Sequence, residues 1–239
     1  MDERRLISHF FKSLDPLSHI VAVCGARSVR ERSTRKRSTG KRSARGSQKD
    51  GGEEESSCDE APFKPLVDEW QLADFALFHH VLSKHPGKSD WLTSVDLEKY
   101  CEDAGSLLRG PPSQGDERST VFTSDDEPFY RFVRSLKLAR EFRSRLNTAL
   151  RTAARVLIIF VAHGFEENGG GVYLGRDKFF ARDLQFIVPS RLSGGAVTVL
   201  TTSCHGGSFI SPKWTTFVAV PSQHLSLSFS RSKSVRNRG

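Results

Sequence analysis

Apolar side chains in this chain occur either as short unbroken runs or as longer stretches at helical spacing. The runs "IVAVCGA" (20–26), "RVLIIFVAHG" (155–164), "AVTVLTTSC" (196–204) and "WTTFVAV" (214–220) are rich in β-branched residues, and each predicts a buried strand. Two stretches have the helical period. In "LVDEWQLADFALFHHVLSK" (66–84), Leu72, Phe75, Ala76, His79 and Leu82 share a face. "SDDEPFYRFVRSLKLAREFRSRLNTALRTAA" (124–154) predicts the longest helix, opened by a capping box of Ser124 and Glu127 with acids in the first turn. Its stripe is Phe129, Phe132, Val133, Leu136, Leu146, Ala149 and Leu150. "SDWLTSVDLEKY" (89–100) begins as a weak strand, 105–120 is expected to be a loop, "GGGVYLGRDKFFARDL" a hairpin, and "ARDLQFIVPSRL" a short helix. Strands that are apolar throughout need cover on both sides, and helices lie between them. The expected class is therefore α/β, a mostly parallel sheet with helices on both faces and right-handed crossovers.

Apolar residues nearly vanish between residues 27 and 61. From Arg27 to Lys49 there are ten Lys or Arg and one acid, while the rest of the 239-residue chain has 26 bases and 27 acids. The sequence pI near 9.5 thus describes one segment and not the fold. Such a segment cannot bury enough surface to offset its ordering entropy. The expected organisation is a first strand in residues 1–26, a disordered basic-then-acidic insertion over 27–61, and the remainder of the same domain over 62–239. The N-terminal apolar stretch is broken by Lys12, Asp15 and Pro16, so it has no signal-peptide core. The four cysteines show neither a CxxC pair nor zinc-like spacing. The expectation is a soluble protein with reduced thiols, cytoplasmic or nuclear, with no cofactor, no metal and no membrane partner.

Two strand ends carry chemistry. The run at 155–162 continues into His163-Gly164, and the run at 196–203 continues into Cys204-His205-Gly206-Gly207. In a parallel sheet, functional groups gather beyond the carboxyl ends of the strands. On neighbouring strands about 4.8 Å apart, an imidazole and a thiol come together there. That pair provides a nucleophile, a base to raise its thiolate fraction, and an acid for the leaving amine. The backbone N–H groups of Gly164 and Cys204 would face a developing oxyanion. Taken singly, a strand-end cysteine reads as a small buried hydrophobe and a His-Gly as a turn; their conjunction on consecutive strands favours the site.

These residues resemble the caspase–legumain superfamily of cysteine peptidases, which includes the metacaspases. The resemblance covers the His163-Gly164 strand end, the separation of 41 residues, and the Cys204 strand end. The spacing and the "VYLG…FFARDL" stretch are similar to legumains, whereas "SCHGG" is more similar to metacaspases. The resemblance implies a caspase-like three-layer sandwich around a six-stranded, mostly parallel sheet. It implies a cysteine endopeptidase acting on protein or peptide through a thioester. His163 would be base and acid, Cys204 the nucleophile, and the Gly164 and Cys204 amides the oxyanion hole.

The chain departs from that pattern two residues before the nucleophile. Caspases have glutamine there, legumains glutamate and metacaspases aspartate, whereas this chain has Thr202, followed by Ser203. Thr202, Ser203 and Arg27, which follows the first strand, are the candidate pocket residues; no side-chain preference follows from them. Only 35 residues follow Cys204, fewer than the resemblance calls for, so a truncated chain or an abbreviated cleft is expected, with "LSLSF" (225–229) as an extended segment beside it. The competing class is a catalytically inactive relative serving as an interaction module, its basic arm binding acidic partners or nucleic acid. The arm lacks the aromatic residues of a single-strand binder and reads first as a solvated insertion. His79, His80 and His85 lack an HExxH arrangement, and the triple glycine does not open a helix as a dinucleotide fingerprint must.

Overall fold

The computed structural model describes residues 18–26, 68–109, 118–192, 195–219 and 229–231. The elements are β1 (Ser18–Cys24), α1 (Glu69–Leu82), β2 (Lys88–Thr93), α2 (Leu97–Ala104), β3 (Leu107–Arg109), β4 (Ser119–Phe122) and β5 (Arg131–Phe132). After them come α3 (Leu138–Thr152), β6 (Arg155–Val161), β7 (Gly164–Phe165), β8 (Gly171–Leu174), β9 (Asp177–Phe180), α4 (Ala181–Ile187), β10 (Val197–Thr201), β11 (Thr215–Ala219) and β12 (Phe229–Arg231).

The four apolar runs form the middle of a seven-stranded sheet ordered β12-β11-β10-β6-β1-β2-β5. Six strands are parallel, and β12 pairs antiparallel with β11 at one edge. Strict alternation splits the core. Val21, Val23, Val156, Ile158, Phe160, Val197 and Val199 pack with α3 and α4 on one face. Ile20, Ala22, Cys24, Leu157, Ile159, Val161 and Leu200 pack with α1 and α2 on the other. The expected α/β class with helices on both faces is therefore present.

Three local expectations fail. The 105–120 segment, expected as a loop, contributes β3 and pairs it antiparallel with β4, and Leu107 and Phe122 are buried beneath it. The long helix begins at Leu138, not near Ser124. The Ser124–Glu127 capping box does not form; Asp126 instead accepts hydrogen bonds from the Thr123 N–H at 2.7 Å and the Thr123 hydroxyl at 3.0 Å. Pro128 explains the delay, because the residue before a proline is steered out of the helical region. The chain then runs extended as β5 along the sheet edge. Its expected stripe is divided accordingly: Phe129 stacks on His79 at 3.9 Å, on the α1 face. Leu146, Ala149 and Leu150 fill the α3 face together with Phe142, which lay outside the expected stripe, while Phe132 and Leu136 stay exposed. The weak strand at 89–100 resolves into β2 and α2. The triple glycine enters the β8–β9 hairpin, as expected.

The insertion at 27–61 lies outside the described residues, as does most of "LSLSF"; Phe229, its last residue, starts β12. No described helix is long and apolar enough to cross a membrane.

Candidate active site

β6 and β10 are hydrogen-bonded neighbours with Thr201 opposite Phe160, and the Thr202 N–H extends the ladder to the Phe160 carbonyl at 3.1 Å. Three further residues along each chain lead to Cys204 and His163, so the register sets these two side by side in sequence count. Face follows from the period of two. Ile159 and Val161 look toward α1, and so does His163, which contacts two residues at the start of that helix. Cys204 lies beyond the end of β10, in the turn that follows it.

The two strand ends pack closely at Gly164. A Cβ there would overlap the Ser203 Oγ and lie 2.9 Å from the His205 backbone nitrogen. Only glycine lets the His163 segment lie flat against the Ser203–His205 segment. The turn that carries Cys204 is fixed from inside as well. Gly206–Phe209 forms a 3-10 turn, Phe209 is buried against Phe160 with ring centroids 4.8 Å apart, and the Phe209 carbonyl accepts from Trp214 Nε1 at 2.7 Å and Thr216 Oγ1 at 2.9 Å.

Cys204 is exposed, in contrast to the other described thiols. Burial, with the Asp68 charge adding to it, pushes Cys24 up to about 12, and burial pushes Cys101 up to about 11. Both thiols stay protonated and shielded at neutral pH, which leaves Cys204 as the accessible sulfur among them.

His163 is 43% exposed at its side chain and its Nε2 lies 2.8 Å from Oδ1 of Asp68, a carboxylate only 1% exposed. Trp70 approaches the imidazole edge-on, with centroids 5.8 Å apart. With Nε2 engaged by Asp68, Nδ1 is the remaining ring nitrogen. On the other side of Cys204, His205 Nδ1 is 3.1 Å from Oε1 of the exposed Glu166.

The two backbone N–H groups expected as oxyanion donors are those of Gly164 and Cys204. The Tyr173 N–H donates to the His163 carbonyl at 2.9 Å, which makes Gly164–Val172 a pair that exchanges no ladder hydrogen bonds, so the Gly164 N–H points away from β8. The Cys204 N–H has no protein acceptor among the described residues.

Of the candidate pocket residues, Thr202 and Ser203 are buried, and the Thr202 hydroxyl has no hydrogen-bond partner among the described residues. Arg27 lies outside the described residues. The residue that the sequence reading missed is Asp68. It precedes His163 by 95 residues, and its local signal, an acid at the start of a helix, is that of an ordinary N-cap.

His163 and Cys204 thus follow the carboxyl ends of neighbouring strands, and a buried carboxylate, Asp68, faces the histidine. No protein-family model, curated protein or solved structure matches the chain, so the reading of this site rests on its own geometry.

Proposed function

We propose that the protein is a cysteine endopeptidase of caspase-like architecture that cleaves peptide bonds through a thioester on Cys204. The observation that supports this reading is the register of β6 and β10, two neighbouring parallel strands whose carboxyl ends lead, three residues past the Phe160–Thr201 pair, to His163 and the exposed Cys204.

The cycle follows from that placement. His163 takes the Cys204 proton, and the thiolate attacks the scissile carbonyl carbon, forming a C–S bond. The carbonyl electron pair moves to oxygen, where the Gly164 and Cys204 N–H groups receive it. The oxyanion collapses, the C–N bond breaks, and His163 returns the proton to the departing amine. A water molecule, deprotonated by His163, then attacks the thioester. The acid product leaves and the Cys204 thiol is restored. On this reading the pocket residues Thr202 and Ser203, both buried and uncharged, offer no charge to the residue before the cut.

The test compares wild type with Cys204→Ala on a proteome-derived peptide mixture in reducing buffer, with new termini read by mass spectrometry. Cuts made by wild type alone support the reading. Identical termini from the two folded proteins refute it.

A second reading rests on a different observation. Residues 131–155 hold eight bases and one acid. Arg131, Arg143 and Arg145 are paired with acids, whereas Arg134, Lys137, Arg140, Arg151 and Arg155 are exposed with no ion pair among the described residues. That face suits a polyanionic partner of a non-catalytic module. Salt-dependent retention of the Cys204→Ala protein on heparin, lost when Arg140 and Arg151 become glutamine, would favour it; retention that ignores both changes would exclude it.

A further inference from the structure

The peptidase reading needs only two side chains, yet the helix that crosses the strand ends brings a third group to them. Asp68 is the N-cap residue of α1, and aspartate at that position ordinarily accepts a hydrogen bond from the first turn of its own helix. Here it makes no side-chain cap. Its carboxylate is instead turned to His163, with Oδ1 2.8 Å from Nε2, and it is almost wholly shielded from water. A buried carboxylate is costly unless a strong partner faces it, and a partly exposed imidazole is free to rotate unless something fixes it. The contact answers both requirements. Trp70, two residues on, bounds the ring from its edge.

From this geometry, and resting on the peptidase reading, we infer that Asp68 is a positioning residue: its carboxylate holds the proton of neutral His163 on Nε2, presents Nδ1 to the Cys204 thiol, and stabilises the imidazolium formed when that thiol ionises. The neutral tautomer with the proton on Nε2 donates to Oδ1 and leaves Nδ1 with its lone pair open. The opposite tautomer would set two acceptors against each other. Once the thiol proton arrives at Nδ1, the ring is cationic and lies 2.8 Å from an anion in a shielded setting, where such contacts are strongest. Among the described residues, the neutral Cys24 thiol feels the charges of both Asp68 and Asp74, and His205, next to Cys204 in the chain, pairs with Glu166.

The experiment uses the full chain and needs no substrate. The rate of Cys204 alkylation by iodoacetamide is followed between pH 5 and 9.5 by peptide mass spectrometry, which separates Cys204 from Cys24, Cys58 and Cys101. Circular dichroism and thermal melting establish that each protein is folded. Asp68→Asn is expected to slow alkylation about tenfold at pH 6.5 and to leave the rate at pH 9.5 unchanged, because the charge acts on thiolate formation and not on access. Asp68→Glu, which keeps the charge, should recover a large part of the loss. A folded Asp68→Asn protein with the wild-type profile, beside a slowed His163→Ala protein, overturns the role of Asp68 and leaves the Cys–His pair standing. A His163→Ala protein with the wild-type profile removes the peptidase reading and the inference with it. A readout without substitution at Asp68 covers the case in which Asp68→Asn does not fold. Long-range proton–nitrogen correlation spectra of the wild type, assigned with His163→Ala, should find the neutral ring protonated on Nε2; protonation on Nδ1 overturns the inference.

Discussion

Two glycines of the nucleophile region make opposite predictions, and the pair tests the packing of the site. At Gly164 an added Cβ would overlap the Ser203 Oγ and lie 2.9 Å from the His205 nitrogen, about 0.5 Å inside the 3.4 Å onset of ordinary contact. At Gly207, three residues past Cys204, an added Cβ meets nothing within 4 Å. Forcing a methyl into a packed place costs about 1–3 kcal/mol. Replacing glycine also restrains the unfolded chain, which returns about 0.4–1 kcal/mol. The net for Gly164→Ala is therefore a loss of about 1–2 kcal/mol, and a chain of this size melts about 2–4 °C lower per kcal/mol, or about 2–8 °C in all. The Cys204 segment must also give way by several tenths of an ångström. A displacement approaching 1 Å at a reacting group costs on the order of 10²-fold in rate. The kcat/KM of Gly164→Ala should accordingly fall by between about 10-fold and 10²-fold. Gly207→Ala receives only the unfolded-state benefit, and its Tm should hold or rise by up to about 4 °C. Differential scanning calorimetry and the cleavage assay read both variants. Wild-type melting and cleavage for Gly164→Ala would refute the close approach of the two strand ends. Equal damage from Gly207→Ala would show that the turn is packed differently.

Further expectations concern the core, the thiols and pH. Phe160 is fully buried between Phe142, Phe179 and Phe209, so Phe160→Ala should cost about 3–5 kcal/mol, visible as a fall in Tm of roughly 6–20 °C; a fall below about 3 °C would contradict that packing. In the native protein at pH 7.5, peptide mapping after brief alkylation should find Cys204 modified and Cys24 and Cys101 untouched, since burial holds both of the latter protonated; equal labelling of Cys24 would argue against the β1 environment. At the opposite end of the sheet, the hydrogen bond from His19 holds the Asp90 carboxyl below its usual value against the opposing effect of burial, with charges on His19, Arg145 and Arg131 assisting. A depressed carboxylate stabilises the fold above its unfolded value and loses that contribution as pH falls through the folded one. The stability advantage of wild type over Asp90→Asn should therefore be complete above about pH 4 and disappear at lower pH, followed by urea titration at several pH values. A gap that persists unchanged at pH 2 would exclude the linkage.

What was legible in the sequence was what short-range pattern encodes. Arg155 aside, the runs at 20–26, 155–162, 196–203 and 214–220 hold only apolar residues, glycine, threonine and serine, and a strand with that composition is most stable inside a sheet covered on both faces. The His163 and Cys204 strand ends were legible for the same reason, because the end of a buried run marks where the chain reaches the edge of the sheet. The α1 helix was legible from its period. Tertiary structure decided the rest. Pro128 and the sheet edge at β2 ended a helical period that continues unbroken on paper, so Phe129 went to one face and Phe142 to the other. Within the polar 105–120 stretch, Leu107–Arg109 became a strand paired with β4 because Leu107 and Phe122 had a buried surface to cover. Asp68 could not be read in advance at all: its position beside His163, 95 residues away, depends on how α1 crosses the strand ends, and no spacing within the chain records a crossing. Local pattern encodes which residues must be buried and in what conformation. Which buried or half-buried groups meet is set by register and by the angle at which elements pack, and those arise only when the whole sheet is assembled.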